Sequence, residues 1–360
     1  MLQLKGAFIM RKYDLNEEAK KLYNPIIINL VTKIYEYKGK QDLYIESEKD
    51  VLTSLLNVAK IHSTEYSNKI EGIHTTNERI KELVNEEVQP KTRNEAEIAG
   101  YRDVLKTIHE NYEYIPLSKN ILLQLHRDLY KYTSYGSAGK LKTEDNAIEE
   151  TKENGDKVIR FKPVSAFETL LSIEELCNSY NEEIKKGEIE PLILIPIFIL
   201  DFLSIHPFMD GNGRMSRLLT LLLLYQNGYI VGKYISIEKL IENTKDSYYD
   251  SLGSSSVLWH ENQNDYSFFV EYYLGVILRA YKDFSNRVEY VSNKKLLVKE
   301  RVLIVVEKSV SSVTKKEITE ICPDISEGAI ERALNELVNE KLILKIGGGR
   351  FTSYVINKSE

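Results

Sequence analysis

The chain has 360 residues, of which 42% are hydrophobic and 28% charged, and its net charge is −6. That composition is one of a soluble globular protein of about two or three domains, and the acidic balance argues against a coat for nucleic acid or an anionic membrane. The only two cysteines, Cys177 and Cys322, stand far apart without other ligands beside them. This excludes a disulfide scaffold or a zinc cluster and fits a reducing, cytoplasmic setting.

In chain order, the start from Met1 to Phe8 lacks the basic region and sustained apolar core of a signal peptide. Helical periodicity then dominates, with helices expected over about 16–37, 51–71, 77–84, 94–111 and 119–130. The second of these closes on Ser67-Asn68-Lys69-Ile70-Glu71-Gly72. Ser67 and Glu71 share a helical face there, and Gly72 can end the helix. Gly136 to Lys140 is no phosphate loop, because its glycine spacing is short and Leu141 stands where a Ser or Thr is needed. From Lys140 to Pro163 the pattern changes. Asn154-Gly155, with Asp156 beyond, signals a two-residue hairpin turn. It would join a strand over 146–151 to Lys157-Val158-Ile159-Arg160-Phe161. Further helices are expected over 166–186, 192–205, 214–226, 237–252 and 266–287. The apolar run from Leu192 to Ile205 is too short for a membrane span and contains Pro196 and Asp201, so it reads as a buried core helix.

Between two apolar helices lies His206-Pro207-Phe208-Met209-Asp210-Gly211-Asn212-Gly213-Arg214-Met215-Ser216-Arg217. The residue types suit a nucleotide polyphosphate. A helix opening at Arg214 offers free N–H groups and the positive end of its dipole to an anion. Gly211 and Gly213 let the backbone approach a phosphate closely. Arg214 and Arg217, three apart, share the first turn and could hold neighbouring phosphates bidentately. Asp210 could take a Mg²⁺ ion bridging those phosphates. His206, with an ordinary pKa near 6.5, suits a general base.

After a charged joint at Ser292-Asn293-Lys294-Lys295, helices are expected over 296–307, 315–321 and 326–340, then a hairpin of 342–346 and 351–356 across Gly347-Gly348-Gly349. Three helices and a hairpin suggest a winged helix. Its would-be recognition helix carries Glu327, Glu331, Glu336 and Glu340 against Arg332, which opposes entry into a DNA groove. Lys315, Lys316 and Arg350 could still touch a backbone, but a protein-contact or dimerisation module fits better.

His206 to Arg217 resembles, at every defining position, the motif of the Fic (filamentation induced by cAMP) domain. The resemblance covers roughly residues 45 to 275 and implies a mainly α-helical core with a β-hairpin flap. The chain then divides into an N-terminal helical region (1–90), the core (91–288) and a winged-helix-like part (289–360). It implies transfer of AMP from ATP to a Ser, Thr or Tyr hydroxyl of a protein, self-modification included, with Mg²⁺ as cofactor. His206 would deprotonate the acceptor and Asp210 would hold the metal. Asn212 with the Gly211 and Gly213 amides would cradle the α-phosphate, and Arg214 and Arg217 would take the β- and γ-phosphates. Ser67 to Gly72 resembles the family's inhibitory motif, whose Glu, here Glu71, would pair with Arg217 and block the γ-phosphate. Lys157, Val158, Ile159 and Arg160 would form the flap edge that docks the target's backbone, and Tyr248-Tyr249 would lie beside the adenine. Ser254-Ser255-Ser256 stands where many relatives carry an Asn. The rival readings are removal of AMP from a modified protein and a nucleotide-sensing winged-helix regulator. Homo-oligomerisation is compatible with the sequence, and no membrane partner is expected.

Overall fold

Pro25 decides how the chain begins. A proline has no N–H for a helix interior but suits a helix's first position. The single helix expected over 16–37 is therefore two, α1 (Leu15–Lys20) and α2 (Pro25–Ser47). Asn24 caps the second, its Oδ1 accepting from the Ile26 and Ile27 amides at 2.9 and 3.0 Å. The structure, a computed structural model, describes residues 11–47, 49–85, 88–151, 157–292, 296–309, 312–349 and 352–357. Met1 to Phe8, the turn expected at Asn154 to Asp156, the joint at Asn293 to Lys295, and Arg350 lie outside the described residues.

The helical body continues with α3 (Lys49–Ile70), α4 (Asn77–Asn85), α5 (Arg93–Asn111) and α6 (Lys119–Leu129). A two-stranded hairpin follows, β1 (Ile148–Thr151) and β2 (Lys157–Phe161), paired antiparallel with Thr151 opposite Lys157 and Ile148 opposite Phe161. Then come α7 (Ala166–Lys186), α8 (Pro191–Ile205), α9 (Asn212–Gln226), α10 (Ile237–Asn243), α11 (Lys245–Ser255) and α12 (Ser267–Ser292). Side-chain oxygens of Thr92, Ser118 and Ser165 cap α5, α6 and α7. The helix expected over 237–252 is split at Thr244, which leaves helical geometry (φ −125°, ψ 34°) while its hydroxyl lies 2.8 Å from that of Tyr272 on α12.

A helix that is apolar all round must be enclosed. Accordingly α8 runs through the centre, packed by α7, α9 and α12. Leu218, Leu219 and Leu221 to Leu224 of α9 are fully buried against this core. Each such leucine contributes roughly 1.5–3 kcal/mol. The charged exception is Asp201, buried inside α8. Its Oδ1 accepts from Trp259 Nε1 and the Tyr266 hydroxyl, both at 2.7 Å, and lies 3.4 Å from the Arg11 guanidinium. Arg11 also donates to the Trp259 carbonyl. The buried carboxylate thus ties the segment before α1 and the loop after α11 to the central helix. Among the described residues no helix is long and apolar enough to cross a membrane.

The C-terminal part has a second core around Val302, Val305, Ile318, Ile330, Leu334 and Leu337. Its elements are α13 (Val298–Lys308), β3 (Val313–Thr314), α14 (Lys315–Ile321), α15 (Glu327–Asn339), β4 (Ile343–Ile346) and β5 (Ser353–Ile356). The sheet order is β3-β5-β4, all antiparallel, so the expected hairpin gains a short third strand. Glu320 of α14 reaches the helical body, 2.5 Å from Lys239 Nζ and 3.4 Å from His62 Nε2 on α3. Two carboxylates of the acidic stretch are paired, Glu331 with Lys315 and Glu340 with Lys299.

Candidate active site

The turn between α8 and α9 is built from conformations that most residues avoid. His206 ends α8 in the left-handed region (φ 52°, ψ 62°), its N–H donating to the Phe202 carbonyl at 2.9 Å. That geometry costs a non-glycine residue on the order of 1–2 kcal/mol. It turns the ring out of the apolar helix. Nδ1 lies 3.3 Å from the Leu203 carbonyl, so Nδ1 carries the proton and Nε2 is left as an acceptor. Burial above all, helped by the Lys142 ammonium, holds the imidazole down at about 4, against the opposing pull of the Leu203 carbonyl, Glu71 and Asp210. His206 is therefore neutral near pH 7.

Gly211, at φ 84°, opens α9, and a Cβ there would lie 2.9 Å from the Tyr130 hydroxyl. The Asp210 side chain is half exposed; its Oδ1 accepts from the Gly211 amide at 2.7 Å. Asn212 is buried and its amide group is used up on the loop itself. Its Oδ1 accepts from the Phe208 N–H at 3.0 Å and its Nδ2 donates to the Phe208 carbonyl at 2.8 Å. With its side chain held there, Asn212 can offer an anion its backbone N–H. Its side chain staples the turn.

The two arginines are both engaged. Arg217 donates from Nε to Ser67 Oγ at 2.8 Å and from NH2 to the Ser67 carbonyl at 2.8 Å and Glu71 Oε1 at 2.7 Å. The same Glu71 oxygen lies 2.2 Å from where a Gly213 Cβ would be, so only glycine lets the carboxylate sit against the first turn of α9. Glu71 is placed by a helix-ending motif: Ile73 N–H donates to Asn68 O, Gly72 N–H to Lys69 O, and Gly72 is left-handed at φ 76°. Arg214 is fully buried, with NH1 2.9 Å from Glu97 Oε2 and NH2 donating to the Tyr130 hydroxyl at 2.7 Å.

Beside Arg217 opens a cleft of about 140 Å³ lined by Glu71, Gly213, Arg217, Tyr248, Tyr249 and Ser256, with Ile148 and Arg160 from the hairpin. Tyr248 is buried and meets Tyr249 edge to face at 5.2 Å between ring centres. Ser255 faces elsewhere, its Oγ accepting from the Phe269 amide at 3.1 Å. On the hairpin, Val158 and Ile159 are exposed, as a docking edge requires. The side chain of Lys157 lies outside the described residues. Arg160 lies on the same strand with its side chain turned to the cleft. Its guanidinium lies over the Tyr249 ring at 5.6 Å and donates to the Tyr249 carbonyl at 2.5 Å, so it forms a wall of the cleft.

Several site residues carry no local signal in the sequence. His126 of α6 stacks flat on Phe208 at 3.8 Å, accepts from the Gly139 amide at Nδ1 and contacts the Asp210 carbonyl at Nε2. The 136–140 loop rejected as a phosphate loop thus packs on His126. Glu97, Tyr130, Lys142 and Asn146 also reach the turn from far upstream.

Residues 116–224 match the Fic/DOC family. A Fido domain-containing protein of Dictyostelium discoideum is 30% identical over 121 residues, which are 34% of this chain and 78% of that protein. Protein adenylyltransferase fic-1 of Caenorhabditis elegans is 26% identical over 117 residues, 32% of this chain and only 21% of that protein, so the match spans about a fifth of its length. Among solved structures, a Fic family protein from Desulfovibrio desulfuricans superposes with a TM-score of 0.61 at 20% identity, covering 94% of this chain and 97% of that one. A Fic domain-containing signaling protein from Bacteroides thetaiotaomicron gives 0.59 at 22% identity, covering 73% and 98%. The motif, the helical fold and these likenesses agree: the chain belongs to the Fic/DOC family.

Proposed function

We propose that the protein transfers AMP from ATP to a hydroxyl of a protein target, and that Glu71 restrains the reaction. The observation that carries this reading is the seat of the Glu71 carboxylate. It lies between Gly213 at the start of α9 and the Arg217 guanidinium, the place an anionic phosphate would take. A phosphate and Glu71 then compete for one seat. The neutral His206 accepts the target's hydroxyl proton at Nε2, the hydroxyl oxygen attacks the α-phosphorus, and pyrophosphate leaves carrying the bonding pair. The bound nucleotide's negative charge would raise the depressed imidazole pKa and strengthen the base.

Mg²⁺ fits as an ion brought with the nucleotide. Asp210 offers one half-exposed carboxylate, and among the described residues no group of three metal-binding side chains exists. Mg²⁺ sites of this kind use one or two carboxylates and complete the shell with phosphate oxygens and water. There Asp210 would hold the ion, which would neutralise charge on the departing pyrophosphate. The base would enter the cleft beside Tyr248 and Tyr249, and the exposed Val158–Ile159 edge would take the target as an added strand. The C-terminal part, with its paired acidic side chains, suits a protein contact or dimer better than DNA.

Mass spectrometry tests the chemistry. The Glu71→Gly chain with ATP and Mg²⁺ should add one AMP to itself or to a lysate protein, with equimolar pyrophosphate. Addition of another phosphate-linked group, or AMP loss from a modified protein with no addition, would replace this reading.

A further inference from the structure

The last carbonyls of a helix have no partner within it, and the negative end of the dipole favours a cation beside them. At the end of α8 the His206 ring lies against these carbonyls, its Nδ1 3.3 Å from that of Leu203. The helix end therefore promotes the imidazolium, the form that cannot accept a proton. Another cation stands there instead. Lys142 is 3% exposed, and its Nζ donates to the Ile205 carbonyl at 3.0 Å and to Asn146 Oδ1 at 3.0 Å. The Lys142 amide donates to the Pro207 carbonyl at 2.8 Å, and Asn146 Nδ2 to the Phe208 carbonyl at 3.2 Å. Three carbonyls of the His206 turn, those of Ile205, Pro207 and Phe208, thus hang on two side chains and one amide of a segment more than sixty residues away.

A structural hook would not need a charge. Glutamine could meet two oxygens without the cost of burying an ammonium. Among the described residues no carboxylate lies in ion-pair range of Lys142, and burial draws it down to about 8, against a weaker pull from Asp145. The positive charge is retained beside His206 at an energetic cost.

We propose that Lys142 is a positioning residue for His206: it takes the cationic place at the end of α8, fixes the left-handed turn that presents the ring, and keeps His206 the neutral proton acceptor. The charged groups facing the ring are Lys142, Glu71 from the end of α3, and Asp210 from the motif turn. Two carboxylates favour the imidazolium, and Lys142 is the cation that opposes them. This assignment rests on His206 acting as the base in AMP transfer.

The test reads the ring directly, so that it does not depend on transfer. In the full chain, the His206 imidazole is titrated by ¹⁵N NMR in the wild type, Lys142→Gln, Lys142→Arg and Asn146→Ala. Lys142→Gln should raise the midpoint. Lys142→Arg and Asn146→Ala, which keep the charge, should leave it near the wild-type value. In a Glu71→Gly background, Lys142→Gln should lower kcat by about tenfold or more with KM for ATP unchanged, and move the acid limb of the pH profile upward. Lys142→Arg should restore most of that kcat. Asn146→Ala, which loosens the hold alone, should lower kcat without moving the limb. An unchanged or lowered midpoint in Lys142→Gln would overturn the proposal, as would a rise in KM at constant kcat. Should Lys142→Gln fail to fold, an Asn146→Ala chain with full kcat would overturn the positioning role by itself. An inactive Glu71→Gly parent would sink the transfer reading but leave the titration to decide on Lys142.

Discussion

Arg214 and Arg217 leave the first two turns of α9 three residues apart, each facing a glutamate, and the two pairs are built differently. The Arg214 and Glu97 side chains are 1% and 5% exposed, the carboxylate comes from the second turn of α5, inside the helix, and the Tyr130 hydroxyl accepts from the guanidinium, whose carbon lies 5.1 Å from the ring centre. Arg217 is as buried at 3%, but Glu71 is 33% exposed and sits at the end of α3, just before the left-handed Gly72. Glu71 can swing into water while Arg217 keeps its two bonds to Ser67, whereas loss of Glu97 would leave the buried Arg214 with the Tyr130 hydroxyl and no close carboxylate. One pair holds the loop and the other can be undone by a competing anion. Exposure of the carboxylate and its place on the helix, not the arginine, decide which.

The largest expected effect removes the base. His206→Ala in a Glu71→Gly background should lower transfer by about 10²–10⁴-fold with the fold intact; a single-turnover assay that finds full activity would show that neither arginine pair serves His206 chemistry. Next, Glu97→Ala should destabilise the chain by about 3–5 kcal/mol in urea unfolding, because it leaves Arg214 buried without its carboxylate. Glu71→Gly in the same experiment should cost less than about 1 kcal/mol, since Glu71 itself is partly solvated and Arg217 keeps its bonds to the Ser67 hydroxyl and carbonyl. Equal losses would erase the distinction between the pairs. The smallest change is Ser67→Ala. Removing the Oγ that accepts from Arg217 Nε should loosen the Glu71 contact and raise transfer a few-fold, well short of Glu71→Gly. A fall in transfer would mean that Ser67 serves the active state instead.

A pH series sharpens the same contrast. His206 and His126 are both held at about 4 in the fold by burial, below the ordinary value near 6.5. Between those two values the unfolded chain binds more protons, so stability falls as pH drops from about 6.5 to 4. His206 sits in the turn that Arg214 anchors, and His126 of α6 packs against it. The loss should appear with Glu71→Gly as fully as with the wild type; a series flattened by that substitution would tie the turn's stability to the wrong pair.

Much of the fold was legible in the sequence, because amphipathic spacing and capping residues act locally. The misread helices failed where a local cue was outweighed: Pro25 and Asn24 were present, yet the apolar spacing runs across them, and Thr244 is turned out by a hydroxyl contact to α12 that no window of sequence contains. The motif from His206 to Arg217 was legible because its chemistry is contiguous. Glu71 was reached only through the family resemblance, since a helix-end glutamate looks ordinary. Glu97, Tyr130, His126, Lys142 and Asn146 were not reached at all. They lie on helical faces or loops with the periodicity of plain core or surface, and only the packing of α5, α6 and the 130–146 segment against α9 gives them a target. Arg160 was placed on its strand by the hairpin signal, whereas the contact of its side chain with the Tyr249 ring depends on packing that the sequence does not print.

The central claim is that Glu71 occupies a seat the nucleotide needs. The most direct measurement is the initial rate of label incorporation from α-phosphate-labelled ATP with Mg²⁺, compared between wild type and Glu71→Gly at equal concentration. The account predicts a rise of at least about tenfold, equivalent to some 1.4 kcal/mol of relieved competition. Equal rates in the two chains would contradict it.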